Sequence, residues 1–301
     1  MAIEVTPSGA TLGATVTGVA LARLTDDEWA VIEAAFHEHA VLVLPGQFPD
    51  DDTQTRFARR FGRLERGMGE LGSRRATVWP IANVLADGRL AEPDSALAHV
   101  LAGNQEWHSD SSYHDIPSKA SMLSARVVPA EGGETEWADM RAAYDALDDD
   151  DRRLVEGRTA AHSYLYSQRK VGKGDELWTD ADKASMAGVR HPLVSVHPVT
   201  GRRSLFVGRH AHAVSGLDEP ASEALVARLV ADACRPPRVL THRWQPGDLV
   251  VWDNRCVLHR GRPWDSGAPR VMAHTRVAGD GDHEWALDDT GAPWAAQRGA
   301  T

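Results

Sequence analysis

Histidine and aspartate stand two residues apart at His108 and Asp110, in the stretch Asn104-Gln105-Glu106-Trp107-His108-Ser109-Asp110. On an extended segment both side chains point to the same face. One imidazole and one carboxylate placed in this way can take adjacent positions around a metal ion. A later histidine, His259, lies near a strand end in the stretch that runs from Gly247 through Trp252-Asp253-Asn254-Arg255. Two histidines and one carboxylate on one face of a metal form the facial triad of non-haem Fe(II) oxygenases, which leaves positions open for O2 and a chelating cosubstrate. Eleven residues after His259 comes Arg270. An arginine keeps its charge and presents a planar fork matched to a carboxylate. A 2-oxo acid could chelate the iron through one end while Arg270 clamps the far carboxylate. Thr135, in Gly132-Gly133-Glu134-Thr135, offers a hydroxyl donor to that same carboxylate.

These residues need a scaffold, and hydropathy patterning supplies candidates. Residues 2–20 read as short strands joined by glycine turns. Thr25 and Glu28 have capping-box spacing and open an amphipathic helix at 26–39. An apolar run at 40–44, stopped by Pro45-Gly46, reads as a buried strand, and 51–61 as a second helix. Residues 64–103 are irregular and glycine-rich, with a strand at 77–84, and a segment of that kind is expected to be an active-site lid. From 120 onward the chain is strand-rich, with strands expected at 121–127, 135–138, 192–197, 203–208, 238–244, 248–252, 256–259 and 270–277. Helices are expected at 140–156, where Asp139 can cap, and at 219–234. Many short strands with Pro/Gly turns indicate a mainly β fold, a sandwich or jelly roll with flanking helices, forming one catalytic domain over 1–301.

Composition narrows the function. The chain has 301 residues, 42% of them hydrophobic and 25% charged, which suits a globular protein. A net charge of -10 argues against a nucleic-acid binder. No apolar run is long enough to span a membrane. The first residues have neither the basic nor the apolar region of a secretory leader. The two cysteines, Cys234 and Cys256, are expected as buried free thiols of a cytoplasmic protein. Motifs for P-loop nucleotide hydrolysis, Rossmann hydride transfer, α/β-hydrolases and zincins are absent. His37-Glu38-His39 fails as a zincin because its two histidines do not share a helix face. The acidic run Asp148 to Asp151 reads as a solvated helix end.

The sequence resembles the taurine/2,4-D dioxygenase family of Fe(II)- and 2-oxoglutarate-dependent enzymes along nearly its whole length. The resemblance is carried by W-H-x-D at 107–110, G-G-x-T at 132–135, H-P-x-T-G at 197–201, W-D-N-R at 252–255, His259 and Arg270. The stretches 9–18, 138–147, 208–213, 248–259 and 270–279 are similar to the aryloxyalkanoate dioxygenases within it. The resemblance implies a double-stranded β-helix, or cupin-like jelly roll. It implies His108, Asp110 and His259 as iron ligands, and Thr135 and Arg270 as binders of 2-oxoglutarate. The implied reaction is hydroxylation of an aliphatic C–H on a small anionic substrate, with succinate and CO2 released, and ether cleavage where the hydroxylated carbon bears an ether oxygen. Asn104 matches a position that lines the substrate site. Taurine-type enzymes carry a substrate arginine four residues after the cosubstrate arginine, and here that position is His274. Arg209, His210, His212 and His274, with Ser111, are therefore the candidates for the substrate anion, and Arg74 and Arg75 are weaker ones. His210 and His212 are expected to share a strand face. Trp107 and Trp252 are expected to pack around the metal strands. Self-association into a homo-oligomer is expected. Two alternatives remain: the same chemistry on a sulfonate, phosphonate or natural-product intermediate, and a non-catalytic metal-binding jelly roll.

Overall fold

The helix expected at 26–39 begins where its capping box dictates. Thr25 accepts the Glu28 N–H at 3.2 Å, and the Glu28 carboxylate accepts the Thr25 N–H at 2.9 Å. This is helix α1, Asp26–His39, which ends at Ala40 in the left-handed region. Helix α2, Asp51–Phe61, is capped by Asp50. The computed structural model describes residues 2–65, 76–93, 95–170, 179, 183, 188–281 and 286. Its strands are β1 Glu4–Pro7, β2 Ala14–Thr17, β3 Val41–Leu44, β4 Trp79–Ala82, β5 Ser118–Val127, β6 Thr135–Asp139, β7 Thr159–His162 and β8 Val189–Pro192. There follow β9 Val194–Val196, β10 Arg203–Leu205, β11 Ala211–His212, β12 Val239–His242, β13 Leu249–Asp253, β14 Val257–Gly261 and β15 Val271–Ala278. The remaining described helices are α3 Ala96–Gly103, α4 Met140–Asp145, α5 Asp149–Val155, α6 Tyr164–Lys170 and α7 Glu219–Ala233, with a 3-10 turn at Leu21–Arg23.

One sheet has seven strands in the order β1-β2-β3-β13-β5-β15-β4. The side-chain period of two along β13 divides its burial between two cores. Leu249 and Val251 turn outward with Leu42, Leu44, Ala120 and Met122, and are covered by Trp29, Ile32 and Phe36 of α1 and Phe57 and Phe61 of α2. Burying each such side chain is worth about 1.5–3 kcal/mol. Val250 and Trp252 turn inward. They meet Trp137 of β6 and Val257 of β14, with Leu123 and Met272 beside them. Strand β6 lies centrally in the facing sheet β12-β6-β14. The far side of that sheet, Ala138 and Leu258, is covered by Met140 and Ala143 of α4 and by Leu225 and Leu229 of α7. The sheets β11-β7-β8 and β10-β9 add Ala160, Ala211 and Leu205 to the same core. The result is a two-sheet jelly roll with helices on both outer faces, as the strand pattern led us to expect.

The structure departs from the sequence expectation in places. The helix expected at 140–156 is two helices, because Asp148 leaves helical geometry to accept the Asp151 N–H and cap α5. The acidic run is that helix's first turn, where negative charge complements the backbone dipole, and Arg228 pairs with Asp151. The strand expected at 192–197 breaks at Leu193, whose N–H donates to Arg158 and whose carbonyl accepts from Phe206. Helix α3 lies inside the segment expected to be irregular. Arg74 and Arg75 lie outside the described residues. No helix among the described residues is long and apolar enough to cross a membrane.

Candidate active site

His108 and His259 are joined through their backbones. Each N–H donates to the other's carbonyl, at 3.0 and 2.8 Å, in an isolated antiparallel bridge at the open end of the second sheet. Two further bonds hold the His108 loop: Gly261 N–H donates to the Asn104 carbonyl at 2.9 Å, and Arg209 N–H to the Trp107 carbonyl at 2.9 Å. The bridge sets the imidazoles 4.1 Å apart between ring centres. Asp110 comes round to them, with Oδ2 at 3.6 Å from His259 Nε2. One ligand atom from each of the three lies within 4.8 Å of the others.

The protonation states suit a cation. His108 Nδ1 lies 2.7 Å from the Glu106 carbonyl. A carbonyl only accepts, so Nδ1 carries the proton and Nε2 keeps its lone pair. Burial lowers the pKa of His108 and puts that of His259 well below the ordinary histidine range, so both are neutral at pH 7. Burial alone would raise the Asp110 carboxyl, but His259, His274 and Arg276 outweigh it and hold Asp110 well below the usual carboxylate range. The site thus offers two neutral nitrogen donors and one anionic oxygen donor. His259 Nδ1 is buried without a hydrogen-bond partner.

Arg270 lies at the foot of β15, buried at 5% exposure. Its guanidinium packs over Trp264 at 5.1 Å, donates one bond to the Gly133 carbonyl at 3.2 Å, and keeps Nε unpartnered. Burial lowers its pKa to about 10, so it remains charged at pH 7. Among the described residues no carboxylate pairs with it, and a buried cation of this kind calls for an anionic ligand. Gly132 and Gly133 let the chain pass close by. Both have φ near +70°, and a Cβ on Gly133 would sit 3.1 Å from Arg270 Nε. Two residues on, buried Thr135 accepts the Trp244 indole N–H at 2.9 Å.

The substrate candidates divide. The His210 ring lies 6.3 Å from that of His108, 5.0 Å from Tyr113 and 5.9 Å from Tyr164. Arg209 donates through Nη1 to the Gly103 carbonyl, while its Nε and Nη2 are buried and unpartnered. His212 does not join them. Its ring stacks on Tyr166 at 4.2 Å, and β11, only two residues long, gives way to a left-handed residue at Ala213. His274 Nε2 is 3.6 Å from Asp110 Oδ2, with the ring against Trp79 and Trp252. Ser111 is engaged on both sides, accepting from Arg276 at 2.8 Å and donating to Glu65 at 2.9 Å. Asn104 contributes its backbone carbonyl to the Gly261 bond. Trp252 packs against Trp137 and His259, and Trp107 lies under Arg260.

Sequence reasoning missed Arg276, Tyr113 and Tyr164. Arg276, mostly shielded from solvent, packs over Trp79 at 5.0 Å and lies near Glu65. Its signal was available: it follows His274 by two residues on β15 and so shares that strand face. A second His, His and Asp group also emerges at His37, His197 and Asp253.

A family model described as Taurine catabolism dioxygenase TauD, TfdA family matches residues 4–276. The (S)-phenoxypropionate/alpha-ketoglutarate-dioxygenase of Delftia acidovorans is 48% identical over 94% of this chain and 98% of its own. The alpha-ketoglutarate-dependent 2,4-dichlorophenoxyacetate dioxygenase of Cupriavidus pinatubonensis is 43% identical over 83% of this chain and 88% of its own. The crystal structure of AAD-2 in complex with Mn(II) and N-oxalylglycine superposes with a TM-score of 0.86 at 38% identity, covering 93% of this chain and 98% of that one. The chain belongs to the TauD/TfdA family and is an α-ketoglutarate-dependent dioxygenase.

Proposed function

We propose that this enzyme hydroxylates the ether-bearing carbon of an aryloxyalkanoate such as a phenoxypropionate. The hemiketal or hemiacetal then collapses to a phenol and a carbonyl acid. In this reading His108, Asp110 and His259 hold Fe(II), while Arg270 and Thr135 hold the distal carboxylate of 2-oxoglutarate. Iron bound there would supply dioxygen activation coupled to decarboxylation of 2-oxoglutarate to succinate and CO2. The protein's own residues keep the donors neutral or anionic as required, orient both acids and exclude water.

One observation carries the substrate assignment: Arg209 is a half-buried cation whose Nε and Nη2 are buried and unpartnered, next to His210, whose ring lies against that of His108. Its charge contributes to lowering the pKa of both histidines. A second carboxylate entering here would be paired rather than stranded, and stranding would cost several kcal/mol. Tyr113 and Tyr164, with ring centres 5.1 Å apart, offer aromatic faces next to it. The names of the relatives, phenoxypropionate and 2,4-dichlorophenoxyacetate dioxygenases, agree with this reading.

The test is succinate release from a panel of phenoxypropionates, phenoxyacetates, taurine and phosphonates, with wild type and Arg209→Ala. Aryloxy acids are the expected substrates. Arg209→Ala should raise their KM about tenfold or more, for a lost charged hydrogen bond of about 1.5–3 kcal/mol, and leave the 2-oxoglutarate KM unchanged. Preference for taurine, or an unaltered aryloxy-acid KM in the variant, would reject the assignment.

A further inference from the structure

The Trp252-Asp253-Asn254-Arg255 segment, in which β13 ends and a turn begins, sends its side chains in two directions. Asp253 and Arg255 lock to one another, with Arg255 donating to both carboxylate oxygens at 2.7 and 2.6 Å. Asn254, between them and only 1% exposed, turns toward Asp110. Its Oδ1 accepts the Trp252 indole N–H at 3.1 Å and the Asp110 backbone N–H at 3.3 Å. Its amide nitrogen donates to Ser121 Oγ at 2.8 Å. The Ser121 hydroxyl donates onward to Asp110 Oδ2 at 2.6 Å.

The direction of this chain is fixed by chemistry. Two N–H donors face one end of the Asn254 amide, so that end is the oxygen and the other is the NH2. Ser121 therefore accepts from Asn254, and its single proton is left for the carboxylate. Asp110 is thus gripped by Asn254 through its backbone and by Ser121 through its side chain. Ser121 is itself fully buried on β5, paired with Trp252 in the sheet register. The grip spans the loop that carries two candidate ligands, the strand β5 and the turn that follows β13.

We propose that Ser121 and Asn254 are positioning residues for the metal, setting the rotation of the Asp110 carboxylate before the ion arrives. The inference rests on the reading of Asp110 as a metal ligand. It gives the W-D-N-R segment a division of labour: Asp253 and Arg255 anchor the turn, and Asn254 aims the ligand. Outer partners of this kind typically change metal affinity by about 10–100-fold when removed.

The experiment is Mn(II) titration of the metal-free protein, read by loss of the electron paramagnetic resonance signal of free Mn(II), with a thermal melt of each metal-free variant. Ser121→Ala should weaken Mn(II) binding about 10–100-fold. Ser124→Ala is the control. It removes an equally buried β5 hydroxyl that donates to Gln54 at 2.6 Å on the other face of the strand, and it should leave affinity within about twofold. Asn254→Ala should weaken binding as well, and the double variant should lose no more than the larger single effect, because the two side chains act as a unit. Wild-type affinity in Ser121→Ala, or an equal loss in Ser124→Ala, would overturn the inference while leaving Asp110 a ligand. Wild-type affinity in Asp110→Ala would instead remove the ligand reading, and the inference with it.

Discussion

Two buried groups in this molecule are built from the same side chains, and their chemistry differs. His37, His197 and Asp253 come together, with Arg255 on Asp253; His108, Asp110 and His259 form the other group. In the first group His197, Asp253 and Arg255 satisfy one another, and His37 Nδ1 beside them is left without a partner. His197 Nδ1 accepts the N–H groups of Val199 and Thr200, so its Nε2–H donates to Asp253 at 2.9 Å. Arg255 takes both oxygens of the same carboxylate. A cation would have to displace a guanidinium that already neutralises the site. In the second group the lone pairs of two neutral imidazoles and a carboxylate converge, and Arg270 has no carboxylate partner among the described residues. Residue type therefore does not distinguish a metal site from a structural clamp. What distinguishes them is which lone pairs and charges the protein leaves uncompensated.

The largest effect that could break this contrast is at the histidines. His259→Ala should abolish succinate release, on the order of a thousandfold or more for lost metal catalysis, and should abolish Mn(II) binding, whereas His197→Ala should keep one Mn(II) per chain. Retained Mn(II) binding in His259→Ala would show that the contrast is drawn in the wrong place.

The next effect is on stability. Asp253→Asn removes the buried carboxylate that Arg255 and His197 hold between them and should destabilise the fold by about 3–5 kcal/mol, measured by urea unfolding of the metal-free protein. Burial raises the Asp253 pKa, but Arg255 and His197 outweigh it and hold it below the usual carboxylate range. A depressed pKa contributes stability that is present above the unfolded value of about 3.9 and is lost as pH falls below it. The variant should therefore show a flatter acid limb than wild type below about pH 4. An unchanged limb would mean that the clamp does not hold Asp253 ionised.

The smallest effect compares the arginines. Arg270→Lys keeps the charge and loses the fork, so the 2-oxoglutarate KM should rise about 10–100-fold. Arg255→Lys should leave that KM alone and lower the melting temperature. The reverse pattern would exchange the roles assigned to the two arginines.

Much of this was legible in the sequence because the determinants are local. The capping box at Thr25 and Glu28 marks the start of α1, and the apolar run of β13, Leu249 to Trp252, is a pattern within a few residues. The H-x-D spacing and the Arg270 offset are likewise short-range. What escaped were properties that arise between segments. The start signal at Asp148, an aspartate cap followed by an acidic first turn, is masked because the helical pattern on either side of it reads as one helix. His210 and His212 read as one face, yet the two-residue β11 sends one ring to His108 and the other to Tyr166. Ser121 and Asn254 are 133 positions apart, and only the pairing of β5 with β13 brings them to the same carboxylate. Arg276 is the exception, since the strand period that carries His274 continues one step further to it.

The reciprocal backbone bonds between His108 and His259 have a consequence for redesign. The two rings are carried on a common frame, and the Asn104–Gly261 bond extends that frame to the start of the loop. Chain length inserted between Asn104 and Asp110 would have to break the frame. Exchanges ending at Ala102 would leave it whole, provided that Gly103 stays glycine where Arg209 presses against it. The natural module boundary for grafting a new entrance onto this enzyme therefore lies one residue before Gly103, and a donor segment from a relative can be joined there without retuning the distance between the rings.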